Sequence, residues 1–97
     1  MRLVWTDAAV RDLSAARHYI AVDDPGAARQ QIERILNAVM GLAQFPDRGR
    51  PGRRAGTREL VMVRTPFIVA YRVRGDAIDI LRVLHGRRRW TDRFEPA

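Results

Sequence analysis

Ten consecutive residues, Leu81 to Trp90, hold the densest set of charge-bearing and reactive side chains in the sequence: Arg82, His85, the triplet Arg87-Arg88-Arg89 and the indole of Trp90. A strand running into Gly86 would project them near one end of a sheet. Against a nucleic acid they offer guanidinium charge for phosphates, a ring for stacking and an imidazole for proton transfer. Against a protein they offer Arg and Trp, the types richest in interface hot spots. The same stretch also reads as a solvated basic turn, with Trp90 closing the core and His85 hydrogen-bonded at the strand end, because proton transfer needs a defined partner that spacing does not reveal. Upstream, Arg58, Arg64 and Arg72 add cations that could meet a target. Arg72 and Arg74 share one face of their strand, since side chains alternate with period two.

Other chemistries find less support. The carboxylates form no catalytic pair: Asp23-Asp24 suits a helix cap, Asp76 a turn, and Asp79 the alternate face of a strand. Arg58 and Glu59 read as a neighbouring pair, worth about 0–1 kcal/mol if exposed. His18 and His85 lie far apart and no cysteine accompanies them, which argues against zinc, and no metal or cofactor is expected. Gly49, Gly52 and Gly56 lack the spacing of a phosphate loop, and no lysine exists to complete one. Tyr19 and Tyr71 are expected as core or boundary aromatics.

The elements that must position these residues follow from local pattern. Arg2 to Trp5 is short and half apolar, as an edge strand would be. Thr6 offers a hydroxyl to free helix N–H groups, Asp7 suits the positive end of the helix dipole, and Ala9, Leu13, Ala16 and Ile20 form a helical stripe. Asp24-Pro25 closes this helix and opens the next, because Asp caps and proline fits the first helical position. Ala28, Ile32, Ile35, Leu36, Val39, Leu42 and Ala43 give the second helix a wider apolar face. The pattern predicts a helical hairpin over 6–22 and 25–43. A breaker-rich loop, Asp47 to Gly56, then separates helices from strands. Strands are expected over Arg58–Arg64, Phe67–Val73 and Ala77–Leu84, the last two joined by a turn at Gly75-Asp76, as a meander. The order is β-α-α-β-β-β, a small α+β domain with the helical hairpin packed on one face of an antiparallel-rich sheet.

Length and charge set the bounds. Ninety-seven residues are enough for one domain, 1–97, and too few for two. Hydrophobic residues at 46% and charged ones at 30% describe a chain that can bury a core and exclude a disordered tail. The net charge is +7, and all 18 basic residues are arginine. Codon bias in a GC-rich genome accounts for that choice, although a planar, permanently charged fork also suits phosphate and carboxylate. Residues 1–47 carry five Arg and six acids, whereas residues 48–97 carry thirteen Arg and five acids. Such asymmetry points to a surface that meets phosphate or an acidic protein. The absence of cysteine, of a signal-peptide core and of a membrane-length apolar run makes a cytoplasmic protein with no membrane partner the expectation.

Taken together, several stretches resemble the RelE/ParE superfamily of type II toxins. Trp5-Thr6, Ala9, Asp12-Leu13, Tyr19-Ile20, Asp24-Pro25, Ala27-Ala28 and Leu42 to Pro46 look like that family's helical hairpin. Gly49-Arg50, Gly56 to Leu60, Pro66 to Val73 and Ile80 to His85 look like its strands. The resemblance implies a compact growth-arrest toxin encoded beside a cognate antitoxin that blocks it, with operator DNA met only through that antitoxin. RelE-like members cut messenger RNA on the ribosome, whereas ParE-like members poison DNA gyrase. The RelE-like cutters place lysines on the second strand, an arginine on the third, and an arginine followed by a tyrosine near the C-terminus. Here the lysine positions fall on Glu59 and Val61, the third-strand arginine falls on Ile68, and no tyrosine follows Tyr71. The run Arg82-Val83-Leu84-His85 reads closer to ParE. The resemblance therefore implies a non-enzymatic gyrase inhibitor, with Arg58, Arg64, Arg72, Arg82, Arg89 and Trp90 as target- or nucleic-acid-binding residues. The alternative is a ribosome-dependent mRNA endonuclease with His85, Arg87 and Arg88 as its catalytic set.

Overall fold

The structure, a computed structural model, describes residues 1–86. Strand β1 (Arg2–Trp5) leads into α1 (Asp7–Asp23) and α2 (Pro25–Gly41), followed by β2 (Arg50–Pro51), β3 (Arg58–Val61), β4 (Phe67–Arg74) and β5 (Ala77–His85). The strands form one sheet in the order β1-β5-β4-β3-β2. β2 to β5 pair antiparallel, while β1 pairs parallel to β5 with Trp5 opposite Ile80, so the sheet is mixed. The expected α+β arrangement of a helical hairpin on a sheet is the one observed, and Arg2–Trp5 is an edge strand.

Both helices begin as their sequence dictates. Thr6 Oγ1 accepts from the Ala9 N–H at 3.1 Å and caps α1. Asp24 works in both directions: its N–H donates to the Ile20 carbonyl, closing α1, and its carboxylate accepts from the Ala27 N–H at 3.0 Å, opening α2. Pro25 takes the first turn of α2, where its missing N–H costs nothing. α2 stops at Gly41, two residues short of expectation, because the Leu42, Ala43 and Gln44 N–H groups bond three residues back and tighten the chain into turns. Ala9 and Ala16 of α1, with Ile35 and Val39 of α2 and Leu42 just past it, meet Leu60, Phe67, Val69, Tyr71, Ile78, Ile80 and Val83 of the sheet in the main core. Tyr19 is a correction: at 73% exposure it belongs neither to core nor to boundary. Its position next to Ile20 turns it off the buried stripe.

Three further corrections concern strands. Arg50–Pro51, inside the expected loop, pairs with Glu59 and Arg58 as β2; a proline is tolerated there because β2 is an edge. β3 ends at Val61 and does not reach Arg64, which sits in the following loop with φ 66°. That positive φ and the Thr65 hydroxyl, accepting from the Phe67 N–H at 3.3 Å, reverse the chain into β4. Third, β5 carries an extra residue: Tyr71 pairs with Ile80 but Ala70 pairs with Arg82, so Leu81 forms a bulge. The turn at Gly75-Asp76 forms as read, with φ 60° at Gly75.

One buried hydroxyl holds β2 to the sheet. Tyr71, fully buried, donates its OH to the Pro46 carbonyl at 2.7 Å and accepts from the Gly49 N–H at 2.8 Å. A Cβ on Gly49 would meet that hydroxyl oxygen at 2.6 Å, so only glycine lets the backbone come this close. Tyr71→Phe would leave both backbone groups without their partner. It is expected to destabilise the fold by about 1–3 kcal/mol, read as a lower urea midpoint at unchanged slope.

Candidate functional site

The sheet has two chemically different sides, and the charge-bearing residues divide between them. On the helix side, β1 ends at Trp5, and α1 takes over the edge of β5. Thr6 Oγ1 lies 2.8 Å from the Ile80 carbonyl and 3.1 Å from that of Leu81. Nearly two turns later, Asp12 accepts from the Val83 N–H at 3.0 Å and from both Nε and Nη2 of Arg82, at 2.7 and 3.0 Å. A carboxylate thus does for β5 what a neighbouring strand would have done. Beside this seam lies a cleft of about 300 Å³, with apolar walls from Ala15, Ala16, Phe67, Val83 and Leu84 and polar ones from Asp12, Tyr19 and His85. His85 is paired opposite Phe67, their rings 5.7 Å apart edge to face.

The other side, which carries no helix among the described residues, has two buried carboxylates there, each bound to arginines at the surface. Asp79, fully buried, accepts from Arg72 Nε at 2.8 Å and from Arg74 Nε and Nη2 at 2.9 and 3.0 Å. The Arg74 bond foremost, with Arg72, holds its pKa down to about 2 against the opposing effect of burial. The Arg74 pKa is raised in turn, mainly by its bond to Asp79. Glu59 accepts from Arg50 Nη2 at 3.1 Å and from the Arg53 backbone N–H at 3.3 Å, with Arg53 Nε 3.7 Å away. The arginine side chains themselves stay about half exposed, from 40% at Arg72 to 57% at Arg50. Between the two clusters Ile68, Ala70 and Leu81 form a small apolar patch, with Leu84 against it.

The sequence-derived site residues do not converge within the described part. Arg58 faces the helix side and ties the β2 segment down through the Gly49 carbonyl at 2.7 Å; it pairs with Asp47 and not with Glu59. Arg64 lies in the β3–β4 loop, its carbonyl 3.5 Å from Arg34 Nη1. Arg72 is on the helix-free side, Arg82 on the α1 seam and His85 at the cleft. Arg87, Arg88, Arg89 and Trp90 lie outside the described residues. Sequence reading passed over Asp12, Glu59 and Asp79 as organisers of charge. For Asp79 a signal existed: a two-residue turn at 75–76 sets Arg74 opposite Ala77, and hence Arg72 opposite Asp79. Among the described residues, no three acidic or histidine side chains converge for a metal ion, and no helix is long and apolar enough to cross a membrane.

This arrangement of a helical hairpin over a mixed five-stranded sheet is that of a chain in the chromosomal ParDE toxin–antitoxin system from P. aeruginosa. The two superpose with a TM-score of 0.77 at 37% identity, over 86% of this chain and 92% of that one. The model of the family described as the ParE toxin of the type II toxin-antitoxin system parDE matches residues 3–90, and the chain belongs to that family. Among relatives, it is 45% identical over 89 residues to the protein Y4kP of Sinorhizobium fredii, covering 92% of each. It is 39% identical over 87 residues to Toxin RelE2 of Caulobacter vibrioides, covering 90% of this chain and 97% of that protein.

The Asp79 cluster has a direct consequence for acid stability. A folded-state pKa of about 2 lies below the ordinary carboxylate value, so ionised Asp79 favours the folded state. Its contribution, about 2–3 kcal/mol, is complete above roughly pH 4 and disappears as the pH falls through about 2. Asp79→Asn removes that titration. Urea unfolding between pH 2 and 6 should show a shallower loss of stability at the acid end for the variant than for the parent.

Proposed function

We propose that this toxin arrests growth in the ParE manner, by poisoning DNA gyrase, and that a cognate antitoxin neutralises it. The observation that carries the reading is the content of the sheet face on which a RelE-like cutter would place its cations. Glu59, Val61 and Ile68 occupy those positions, all on the helix-free side, with Val61 directly paired to Ile68. Glu59 is buried and committed to arginines, Ile68 is buried, and Val61 is a half-exposed hydrocarbon. Cleaving a phosphodiester needs a cation on the scissile phosphate and a group to move protons. Val61 and Ile68 supply neither, and the Glu59 carboxylate, no cation, is taken up by Arg50 and the Arg53 N–H. The name of the matched family and the ParDE chain of like fold favour the same reading.

Expression without antitoxin is expected to stop DNA synthesis before RNA or protein synthesis, and purified protein to inhibit supercoiling by gyrase. Untouched supercoiling together with cleavage of ribosome-bound message would overturn the proposal. The second reading, an mRNA endonuclease, takes its support from the relative named Toxin RelE2 and from His85 at the cleft beside Asp12. On that reading His85, with Arg87 and Arg88, carries cleavage, and His85→Ala abolishes it while antitoxin binding survives.

For the antitoxin, the helical hairpin offers exposed apolar side chains in Tyr19, Val22 and Met40, and the second half of the chain offers arginines. An acidic, amphipathic segment would bury the first and pair with the second. Steering by exposed charge is screened over about 8 Å at physiological ionic strength. The association rate, measured by stopped flow, should therefore fall steeply as salt is raised.

A further inference from the structure

We infer that the helix-free face is a preorganised phosphate-binding platform that grips the backbone of duplex DNA without reading its sequence. The inference deepens the gyrase reading, on which it rests for its cellular target, because a poison of a DNA-bound enzyme gains by holding the DNA itself. Alternation along the strands fixes the membership. Val73 and Ile78 face each other on the helix side, so Arg72, Arg74 and Asp79 project from the other. Arg50 is paired with Glu59 and so projects with it, and Arg2, next to core-packed Leu3 and opposite Ala77, stands on the same side of β1. From β1 to β2 the arginine row crosses four inter-strand spacings, about 19 Å. One DNA strand presents about five or six phosphates over that length, at roughly 3.4 Å of axis each.

The carboxylates are what make this more than scattered surface charge. Burying Asp79 and Glu59 is costly, and the neighbouring inward positions show the cheaper solution in Ile68, Ala70 and Leu81. What the carboxylates provide is orientation. Arg72 engages Asp79 through Nε and Arg74 through Nε and Nη2, while a guanidinium carries five N–H donors, so each is held by one edge with donor capacity beyond the carboxylate. A guanidinium fixed in this way loses little further freedom on meeting a phosphate, which it matches as a fork.

Two other polyanions fit the charge less well. Single-stranded RNA is bound chiefly by stacking its bases on rings, and among the described residues this face carries no aromatic side chain. An acidic peptide would need apolar anchor pockets beside the arginines; this face offers the half-exposed Val61 there, whereas the more exposed Tyr19, Val22 and Met40 lie on the helical hairpin, where the antitoxin segment is placed. The platform touches no base edges, so it confers no operator preference.

The test is fluorescence anisotropy of a labelled mixed-sequence DNA duplex with the purified full-length chain at several salt concentrations, with no gyrase or antitoxin present. Its outcome is therefore independent of whether gyrase is the target. The parent is expected to bind with log affinity falling linearly in log salt. Arg72→Gln/Arg74→Gln/Asp79→Asn, which removes both forks without stranding a buried charge, should lower affinity at least tenfold and flatten the slope by about 2. Arg50→Gln/Glu59→Gln, at the other cluster, should flatten it by about 1, which keeps the inference testable if the first variant fails to fold. Asp79→Asn alone raises the net charge yet should bind more weakly, because orientation and not charge is lost. No duplex binding by the parent, an unchanged slope in the variants, tighter binding by Asp79→Asn, or preference for single-stranded RNA or polyglutamate over duplex DNA would each overturn the inference.

Discussion

The hold of α1 on the edge of β5 is the constraint on which the remaining structure depends. β1 is only four residues long, and beyond Ile80 the edge of β5 has no strand beside it among the described residues. Thr6 and Asp12, nearly two turns apart at the start of α1, meet the edge groups that β1 leaves: the Thr6 hydroxyl donates to the carbonyls of Ile80 and Leu81, Asp12 accepts from the Val83 N–H, and the same Thr6 oxygen caps the helix. Because an unmet backbone group in such a place costs more than a met one contributes, these contacts fix the position of α1 more firmly than its modest apolar stripe could. α2 follows, since Asp24 leaves almost no slack between the helices. The cleft at His85 is a product of this seam: its floor is the sheet and its wall is the helix that Asp12 locks down.

The opposite side of the sheet is governed by a different balance. There, covering is achieved by guanidinium groups lying over carboxylates and a few aliphatic side chains. In a chain with net charge +7, two acids placed under four arginines relieve the repulsion among those arginines. The same face bears Glu59, engaged by Arg50, the half-exposed Val61 and the buried Ile68.

Much of this was legible in the sequence, for identifiable reasons. The stripe Ala9, Leu13, Ala16 and Ile20, the shared cap at Asp24-Pro25 and the turn at Gly75-Asp76 are local signals that packing then reinforced. β2 was not legible, because Arg50-Pro51 has no strand propensity; it exists through a tyrosine hydroxyl some twenty residues away and a glutamate across the ladder. Arg64 takes a left-handed conformation that no arginine favours by itself, and only the need to reverse the chain before Phe67 imposes it. Tyr19 misled by type, an aromatic beside a buried stripe but not on it. For the site, residue types pointed to the basic half, but which arginines are held by which acids depends on register, and register is a long-range property.

The bulge at Leu81 acts on β5 as a frame shift. Counting alternation from Gly75 puts Ile78 and Ile80 on the core side, and an uninterrupted count would continue with Arg82 and Leu84 on that side and His85 on the other. The one extra residue inverts the count from Arg82 onward: Leu81 keeps its place in the helix-free patch, Arg82 reaches Asp12 at the edge, Val83 enters the core, and His85 faces Phe67. A chain lacking that single residue would keep its composition almost unchanged and carry its imidazole on the opposite surface, so the chemistry available at the cleft is decided by strand length as much as by residue identity.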